Sequence, residues 1–175
     1  EEPHNSFIAG GMIVHNSSQA KKEDGKTIAE HYIDRKNGKE EITYLHKSLE
    51  PILKDTYGEL IYQESAMRVA MDIASMSSVD TDKYIRKGIG KKLADIIAEA
   101  KSLFLDGCKK TNIVDKEIAE EIFGWIESAQ RYSFNASHSY SYGHVSYLTA
   151  YAKTHFPKEF FTSYLSFAHE KPKPK

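Results

Sequence analysis

The stretch from Arg131 to Pro157 reads Arg-Tyr-Ser-Phe-Asn-Ala-Ser-His-Ser-Tyr-Ser-Tyr-Gly-His-Val-Ser-Tyr-Leu-Thr-Ala-Tyr-Ala-Lys-Thr-His-Phe-Pro, and its spacing predicts one long helix. Ser137 is the expected N-cap, because a serine hydroxyl can accept a hydrogen bond from an unpaired amide of the first turn. Pro157 is expected to end the helix, because proline disfavours the helical conformation of the residue before it. The sequence therefore predicts both ends of this helix.

Two stripes run along the predicted helix. The aromatic and polar stripe consists of Tyr140, His144, Tyr147 and Tyr151. The apolar stripe, which predicts a face packed in the core, consists of Val145, Leu148, Ala152 and Phe156. Rings that can also donate hydrogen bonds suit stacking on a base or a sugar. The same pattern also fits tyrosines that pack with their hydroxyls at the surface.

Helical spacing continues through most of the chain upstream. Apolar residues recur at three- and four-residue intervals between Tyr62 and Met76, which predicts a helix with a methionine-rich core face. A short helix is predicted around Asp80 to Lys87, ending at Gly88. Another is predicted from Lys91 to Leu105, ending near Gly107.

Asp115 is the expected N-cap of the next helix, whose core spacing includes Ile122 and Phe123. Near the amino end, residues Glu40 to Tyr44 predict a short strand after the Asn-Gly turn at 37–38. We therefore expect a mainly α fold, one helical domain with a small irregular or β segment at its N-terminal end.

The composition excludes several classes of protein. A chain of 175 residues that is 40% hydrophobic can bury a sizeable core. The 24 Lys and Arg against 25 Asp and Glu give a net charge of -1, so any nucleic-acid binding has to rest on a local cluster of charge. The single Cys108 excludes an internal disulfide framework and fits a reducing cytoplasm. No apolar run reaches the length of a membrane span.

One basic cluster surrounds two glycines. Its members are Lys83, Arg86, Lys87, Lys91 and Lys92, placed around Gly88 and Gly90. Such a cluster can neutralise a triphosphate, with arginine acting as a fork on phosphate oxygens and lysine as a mobile point charge. An isolated run of this kind also fits a solvated helix face. The nearby Asp80 and Asp82 are close in sequence and could suggest a metal site.

Several blocks in order resemble the fingers region of the bacterial or phage DNA polymerase III alpha subunit, over roughly residues 28 to 165. The blocks are Tyr32-Ile-Asp-Arg-Lys-Asn-Gly, Leu49-Glu-Pro-Ile-Leu, Thr56-Tyr-Gly, Tyr62-Gln-Glu, Tyr84-Ile-Arg-Lys-Gly-Ile-Gly-Lys-Lys and Phe134-Asn-Ala-Ser-His-Ser. The resemblance implies a part of a DNA-directed DNA polymerase, a nucleotidyltransferase of DNA replication.

The resemblance also implies residues that bind nucleotide or DNA. They are Arg86 and Lys87 first, then Lys91, Lys92, His138, Ser139 and Tyr142. Gln63 and Glu64 belong to a matched block, but a role at a helix start or in the scaffold is left open. The resemblance also favours helix capping over metal binding for Asp80 and Asp82, and no metal ligand is assigned.

The resemblance further implies partners and a cofactor that lie outside this chain. The partners are DNA primer-template, deoxynucleoside triphosphates, the palm and remaining polymerase domains, and the sliding clamp through regions not present here. Mg²⁺ is expected for the whole polymerase, with its carboxylate ligands in the palm, so the fragment alone should be inactive.

The first sixteen residues resemble the C-terminal end of an intein. The resemblance rests on His4, the apolar run Met12-Ile-Val, and His15-Asn16 before Ser17. In protein splicing, the Asn16 side chain attacks its own main-chain carbonyl, His15 assisted by His4 protonates the leaving amine, and Ser17 is the downstream nucleophile. An ordinary surface strand and turn also fits. The upstream intein part would be a further partner, because this chain contains no N-terminal splice junction.

We expect four regions: an intein segment at 1–16, a linker at 17–27, the fingers region at 28–168 and a disordered tail at 169–175. Two alternative functions remain open at this point. One is a non-catalytic helical nucleic-acid-binding module, and the other is intein-mediated protein splicing as the main activity.

Overall fold

The computed structural model describes residues 24–90, 94–130 and 135–168, together with the backbone of two short strands. The strands are β1, Ser6–Ala9, and β2, Met12–His15, which pair antiparallel with Phe7 opposite Val14. The helices are α1 Ile28–Lys36, α2 Glu50–Leu53, α3 Gln63–Ala74, α4 Ser78–Asp80, a π-helix Thr81–Ile89, α5 Ala94–Thr111, α6 Lys116–Gln130, α7 Ala136–His155 and α8 Pro157–Ser166. The predicted mainly α fold is confirmed.

The core lies where α3, the π-helix, α5 and α6 pack on one another. Its largest fully buried side chains include Phe104 of α5 and Phe123 of α6, whose ring centroids lie 5.7 Å apart. Ile73 of α3 and Ile85 of the π-helix are also fully buried. Each such side chain contributes about 1.5–3 kcal/mol through its removal from water. The four helices therefore form the stable body of the described chain.

Two glycines that were expected to end helices lie inside them instead. The π-helix runs through Gly88, and α5 runs through Gly107 to Thr111. A Cβ added at Gly107 would collide with the carbonyl oxygen of Ala74, so glycine here allows α5 to approach the end of α3. The Thr111 hydroxyl then donates to the Ile73 carbonyl oxygen at 2.7 Å. The glycine serves close packing of helices and not helix termination.

Residues Glu40 to Tyr44 form no strand, and the reason is a buried arginine. The Arg35 guanidinium donates to Glu40 Oε1 at 2.7 Å, to the Tyr57 carbonyl oxygen at 3.0 Å and to Thr43 Oγ1 at 3.3 Å. It also pairs with the carboxylate of Glu59 at 3.2 Å. The segment therefore wraps around the guanidinium and does not extend beside another strand.

The buried network lowers the pKa of Glu40. Partial burial would raise that pKa, but hydrogen bonds from Arg35 and from His31, whose Nδ1 lies 2.8 Å from Glu40 Oε1, lower it to about 2. Gly58 has a φ of 84°, and an added Cβ there would lie 3.0 Å from Arg35 Nη1. This network fixes α1 and the loops after it against the turn before α3.

Helices α7 and α8 join without a loop. Phe156 is at once the C-cap of α7 and the N-cap of α8, and Pro157 occupies the first turn of α8. The prediction that Pro157 ends the long helix is confirmed. The prediction of Ser137 as the N-cap is wrong, because Asn135 takes that position: its Oδ1 accepts from the amides of Ser137 at 2.9 Å and His138 at 3.2 Å.

Candidate functional site

The π-helix places Arg86 and Lys87 on its exposed face. Its buried side is formed by Thr81, Tyr84, Ile85, Gly88 and Ile89, which pack against the helical core. The side chains of Arg86 and Lys87 are 41% and 56% exposed. Apolar packing on one side of the helix therefore holds both cations at the surface, where an anionic ligand can reach them.

Asp82 binds both cations. Its Oδ1 accepts from Arg86 Nε at 2.6 Å and lies 2.5 Å from Arg86 Nη2, and its Oδ2 lies 2.6 Å from Lys87 Nζ. The hydrogen bond from Lys87, followed by that from Arg86, lowers the pKa of Asp82. The interpretation of Asp82 as a helix cap is wrong. Asp80, in contrast, lies at the capped start of α4, where it accepts from the Ser77 hydroxyl at 2.7 Å.

Lys83 of the same cluster faces a different partner. Its Nζ donates to the Tyr84 hydroxyl at 2.8 Å, and that hydroxyl donates to Glu99 Oε1 of α5 at 2.8 Å. The bond to Tyr84 raises the pKa of Lys83. Lys91 and Lys92 lie outside the described residues. Of the predicted basic cluster, Arg86 and Lys87 are thus the pair that the structure brings together.

The first turn of α7 lies against the first turn of α3. The Glu64 carboxylate accepts from the Ala136 amide at 3.1 Å, so an acidic side chain of this chain occupies the positive end of α7. Glu64 therefore has the scaffold role that the sequence left open.

Three predicted binding residues follow in α7 and face different environments. His138 and Tyr142 are exposed, with ring centroids 4.3 Å apart. Ser139 is only 3% exposed. Its hydroxyl lies beside the Tyr62 phenol. Burial raises the pKa of Tyr62, and the hydrogen bond with Ser139 offsets part of that rise.

The predicted core stripe of α7 is not buried. Val145 is 58% exposed, Leu148 50% and Phe156 54%. The tyrosines of the other stripe are exposed as well: Tyr140, Tyr147 and Tyr151. The reason is that α7 packs mainly on α8 and the β1–β2 hairpin, and meets the core helix α3 at its first turn. The described part of α7 thus carries apolar surface on more than one side.

No hydrogen bond, ion pair or ring contact joins Arg86 or Lys87 to His138 or Tyr142 within the described ranges. Helix α3 connects the two groups, because it packs on the π-helix and its Glu64 holds the start of α7. A helix of 12 residues is about 18 Å long. Arg86 with Lys87, and His138 with Tyr142, therefore lie on two separate surfaces of one helical scaffold.

The four residues predicted for splicing lie mostly outside the described residues. His4, Asn16 and Ser17 are not described. The backbone of His15 ends β2, with its Cα opposite that of Ser6. The strand predicted at Met12-Ile-Val is present.

Reasoning from the sequence missed Asp82 as the partner of the two cations. The four-residue spacing from Asp82 to Arg86 is a detectable signal for an ion pair on a helix. The five-residue spacing from Asp82 to Lys87 gives no such signal, because it brings the two side chains together in a π-helix and not in an α-helix.

Across residues 24–90, 94–130 and 135–168, no three His, Cys, Asp or Glu side chains cluster in a way that could hold a metal ion. Among the helices that the structure describes, none has the length and apolar character needed to cross a membrane.

Comparison with known proteins identifies the family. Residues 20–112, just over half of the chain, match the bacterial DNA polymerase III alpha subunit finger domain. The DNA polymerase III subunit alpha of Aquifex aeolicus is 42% identical over 134 residues, which are 77% of this chain and 11% of that protein. The subunits of Pseudomonas aeruginosa and Escherichia coli K12 are 40% and 38% identical over 144 residues, 79% of this chain and 12% of each protein. The chain spans about a tenth of the length of these relatives, and it belongs to the family of the bacterial DNA polymerase III alpha subunit finger domain.

Proposed function

We propose that residues 28–168 act as the fingers of a replicative DNA-directed DNA polymerase and bind the incoming deoxynucleoside triphosphate and DNA phosphates. The observation that carries this proposal is the pair Arg86 and Lys87, two neighbouring cations held at the surface by a packed helix. Arginine can donate two parallel hydrogen bonds to phosphate oxygens, and lysine adds a compact charge. The pair suits a triphosphate better than a neutral ligand.

The other predicted contacts are also part of this proposal, and those on α7 lie on a separate surface of the scaffold. Lys91 and Lys92 follow the π-helix directly in the sequence and are proposed as phosphate contacts. The exposed rings of His138 and Tyr142 are proposed to contact the base or sugar of the nucleotide. Ser139, next to His138 in the first turn of α7, is proposed as a further contact of the nucleotide.

The proposed reaction is nucleotidyl transfer. The primer 3′ hydroxyl loses its proton to water or to a base outside this chain, its oxygen forms a bond to the α-phosphorus, the bond from that phosphorus to the bridging oxygen breaks, and pyrophosphate leaves. Mg²⁺ is expected for this chemistry in the whole polymerase. The described residues do not fit a Mg²⁺ site, because Asp80 accepts a hydrogen bond in a helix cap and Asp82 is engaged by two cations. The metal ligands are therefore proposed for the palm.

The exposed apolar surface of α7 and α8 is proposed to contact the rest of the polymerase. It includes Val145, Leu148, Phe156, Phe161 and Leu165. Since about nine tenths of each relative lies outside the matched region, the remaining domains are the obvious cover for this surface. The sliding clamp is proposed to bind other regions, and the bacterial cytoplasm, where chromosomal DNA is copied, is the proposed location.

The test is Arg86→Ala in the complete polymerase, measured by single-turnover incorporation over a range of nucleotide concentrations. The nucleotide Kd should rise about 10-fold or more, since a lost charged hydrogen bond costs about 1.5–3 kcal/mol. Arg68→Ala is a matched control, because Arg68 forms a similar exposed pair with Asp72 on α3. Unchanged nucleotide affinity in Arg86→Ala would remove this residue from the triphosphate site. Normal DNA binding by the chain in the absence of the palm would favour a non-catalytic binding module.

A second proposal concerns residues 1–16, which we propose to be the end of an intein. The observation that favours it is the hairpin, in which β2 delivers His15 at its end, directly before Asn16 and Ser17. The proposed roles are asparagine cyclisation by Asn16, proton donation by His15 and His4, and acyl acceptance by Ser17. In a complete precursor, Asn16→Ala should block release at the downstream junction, as seen by mass spectrometry. Normal ligated product from this variant would reject the proposal.

A further inference from the structure

The ion pairs of Asp82 differ from an ordinary pair on a helix. In an α-helix, the residue four positions on lies about 40° around the axis from the first, but the residue five positions on lies about 140° around. One carboxylate therefore reaches only one of two such neighbours. In a π-helix, the backbone hydrogen bond joins residues five apart, so both neighbours lie above the first residue. The π-helix Thr81–Ile89 thereby brings Arg86 and Lys87 to the two oxygens of Asp82.

These contacts use the same donors that a phosphate would use. Arg86 presents Nε and Nη2 to one oxygen of Asp82, and Lys87 presents Nζ to the other. Carboxylate and phosphate oxygens accept from the same guanidinium donors, and here both donors meet a single carboxylate oxygen. A phosphate that used these donors would therefore have to displace Asp82.

The charges favour such an exchange. Asp82, Arg86 and Lys87 together carry a net charge of +1, so a polyanion is still attracted to the occupied cluster. The three side chains are between 33% and 56% exposed. Ion pairs at this exposure are worth little individually, because water screens them and their side chains lose entropy. The carboxylate is therefore held firmly enough to align the cations and weakly enough to be displaced.

We propose that Asp82 is a positioning residue that stands in for a phosphate group, holding Arg86 and Lys87 side by side until the triphosphate of a nucleotide displaces it. This inference rests on the proposed function, because it assumes that the two cations bind the triphosphate. It adds that the chain carries its own competitor for the site, which lowers the affinity for nucleotide and for other polyphosphates.

The experiment uses Asp82→Asn in the complete polymerase. The variant removes the competing charge and retains the size of the side chain. The Kd for a deoxynucleoside triphosphate, from single-turnover incorporation, should fall roughly 2- to 10-fold at low salt. Inorganic tripolyphosphate should inhibit the variant at correspondingly lower concentration. Both gains should shrink at high salt, because exposed charges are screened.

Three variants serve as controls. Asp72→Asn breaks a comparable exposed pair, Asp72 with Arg68 at 3.3 Å on α3, and should leave the nucleotide Kd unchanged. Asp82→Glu keeps the charge and should stay within about twofold of the parent, as expected of an exposed pair that is retained. Asp82→Ser is a second neutral variant, for use if Asp82→Asn folds poorly, and it should bind nucleotide more tightly as well.

The outcomes separate this inference from the proposed function. If Arg86→Ala weakens nucleotide binding but the neutral variants of Asp82 bind as the parent does or more weakly, the stand-in role is wrong and the proposed function stands. If Arg86→Ala leaves nucleotide affinity unchanged, the proposed function itself fails. Tighter binding in Asp82→Asn that persists in an Arg86→Ala, Lys87→Ala background would also overturn the inference, because the gain would then arise elsewhere.

Discussion

Replacement of Gly107 by alanine should destabilise the chain, although alanine is the better helix former. Inside a helix, alanine is favoured over glycine by about 0.8–1.0 kcal/mol. At Gly107 the new Cβ would lie 2.9 Å from the carbonyl carbon of Ala74 and 2.9 Å from its Cβ, and closer still to the carbonyl oxygen. Overpacking of this kind costs about 1–3 kcal/mol, and here the obstacle is a backbone that cannot rotate away. With the cost near the upper end of that range and the gain near 1 kcal/mol, the net loss should be about 2 kcal/mol.

The assay is urea unfolding followed by circular dichroism, together with the thermal midpoint, which should fall by about 2–4 °C for each kcal/mol lost. Gly124→Ala in α6 is the matched control, because nothing lies within 4 Å of an added Cβ there. This control should gain about 0.5–1 kcal/mol. If Gly107→Ala were as stable as Gly124→Ala, the close approach of α5 to the end of α3 would be refuted.

Two further predictions concern charged groups. The pKa of Glu40, about 2 in the folded chain, lies below its ordinary value of 4.5, so its contribution to stability is complete above about pH 5 and is lost as the pH falls through about 2. Glu40→Gln should therefore lower the free energy of unfolding by about 2 kcal/mol at pH 7 and make that free energy less dependent on pH below 5. Urea titrations at several pH values measure both effects. The control is Glu41→Gln, at the neighbouring exposed position, which should show neither effect. Asp115→Ala should cost about 1 kcal/mol, because Asp115 Oδ1 accepts from the Ile118 amide at 2.9 Å, and Asp115→Asn should restore most of the loss; equal stability of all three proteins would contradict the capping role.

Local signals in the sequence predicted local structure well. The cap at Asp115 and the stop at Pro157 depend on residues within one helical turn, and both were predicted correctly. Helices α3 and α6 were likewise predicted from their apolar spacing. In each case the chemistry that decides the structure lies beside the residue that signals it.

Other predictions failed because the deciding contact is distant in sequence. Gly107 resembles a helix end until Ala74, 33 residues earlier, is placed against it. The segment from Glu40 to Tyr44 was predicted as a strand, but it folds around the Arg35 guanidinium and supplies it with hydrogen-bond acceptors. The residues proposed to bind nucleotide were found through a family resemblance, whereas the carboxylate that engages two of them depends on a π-helical register that apolar spacing does not reveal.

The direct junction of the last two helices limits how they can move. Phe156 belongs to both caps, with φ at -133° and ψ at 57°, and Pro157 narrows the conformations open to it. The direction of all ten residues of Pro157–Ser166 relative to the preceding helix is thus set by the two backbone torsions of a single residue. A partner that binds the terminal helix therefore acts on the direction of the long helix through the torsions of Phe156.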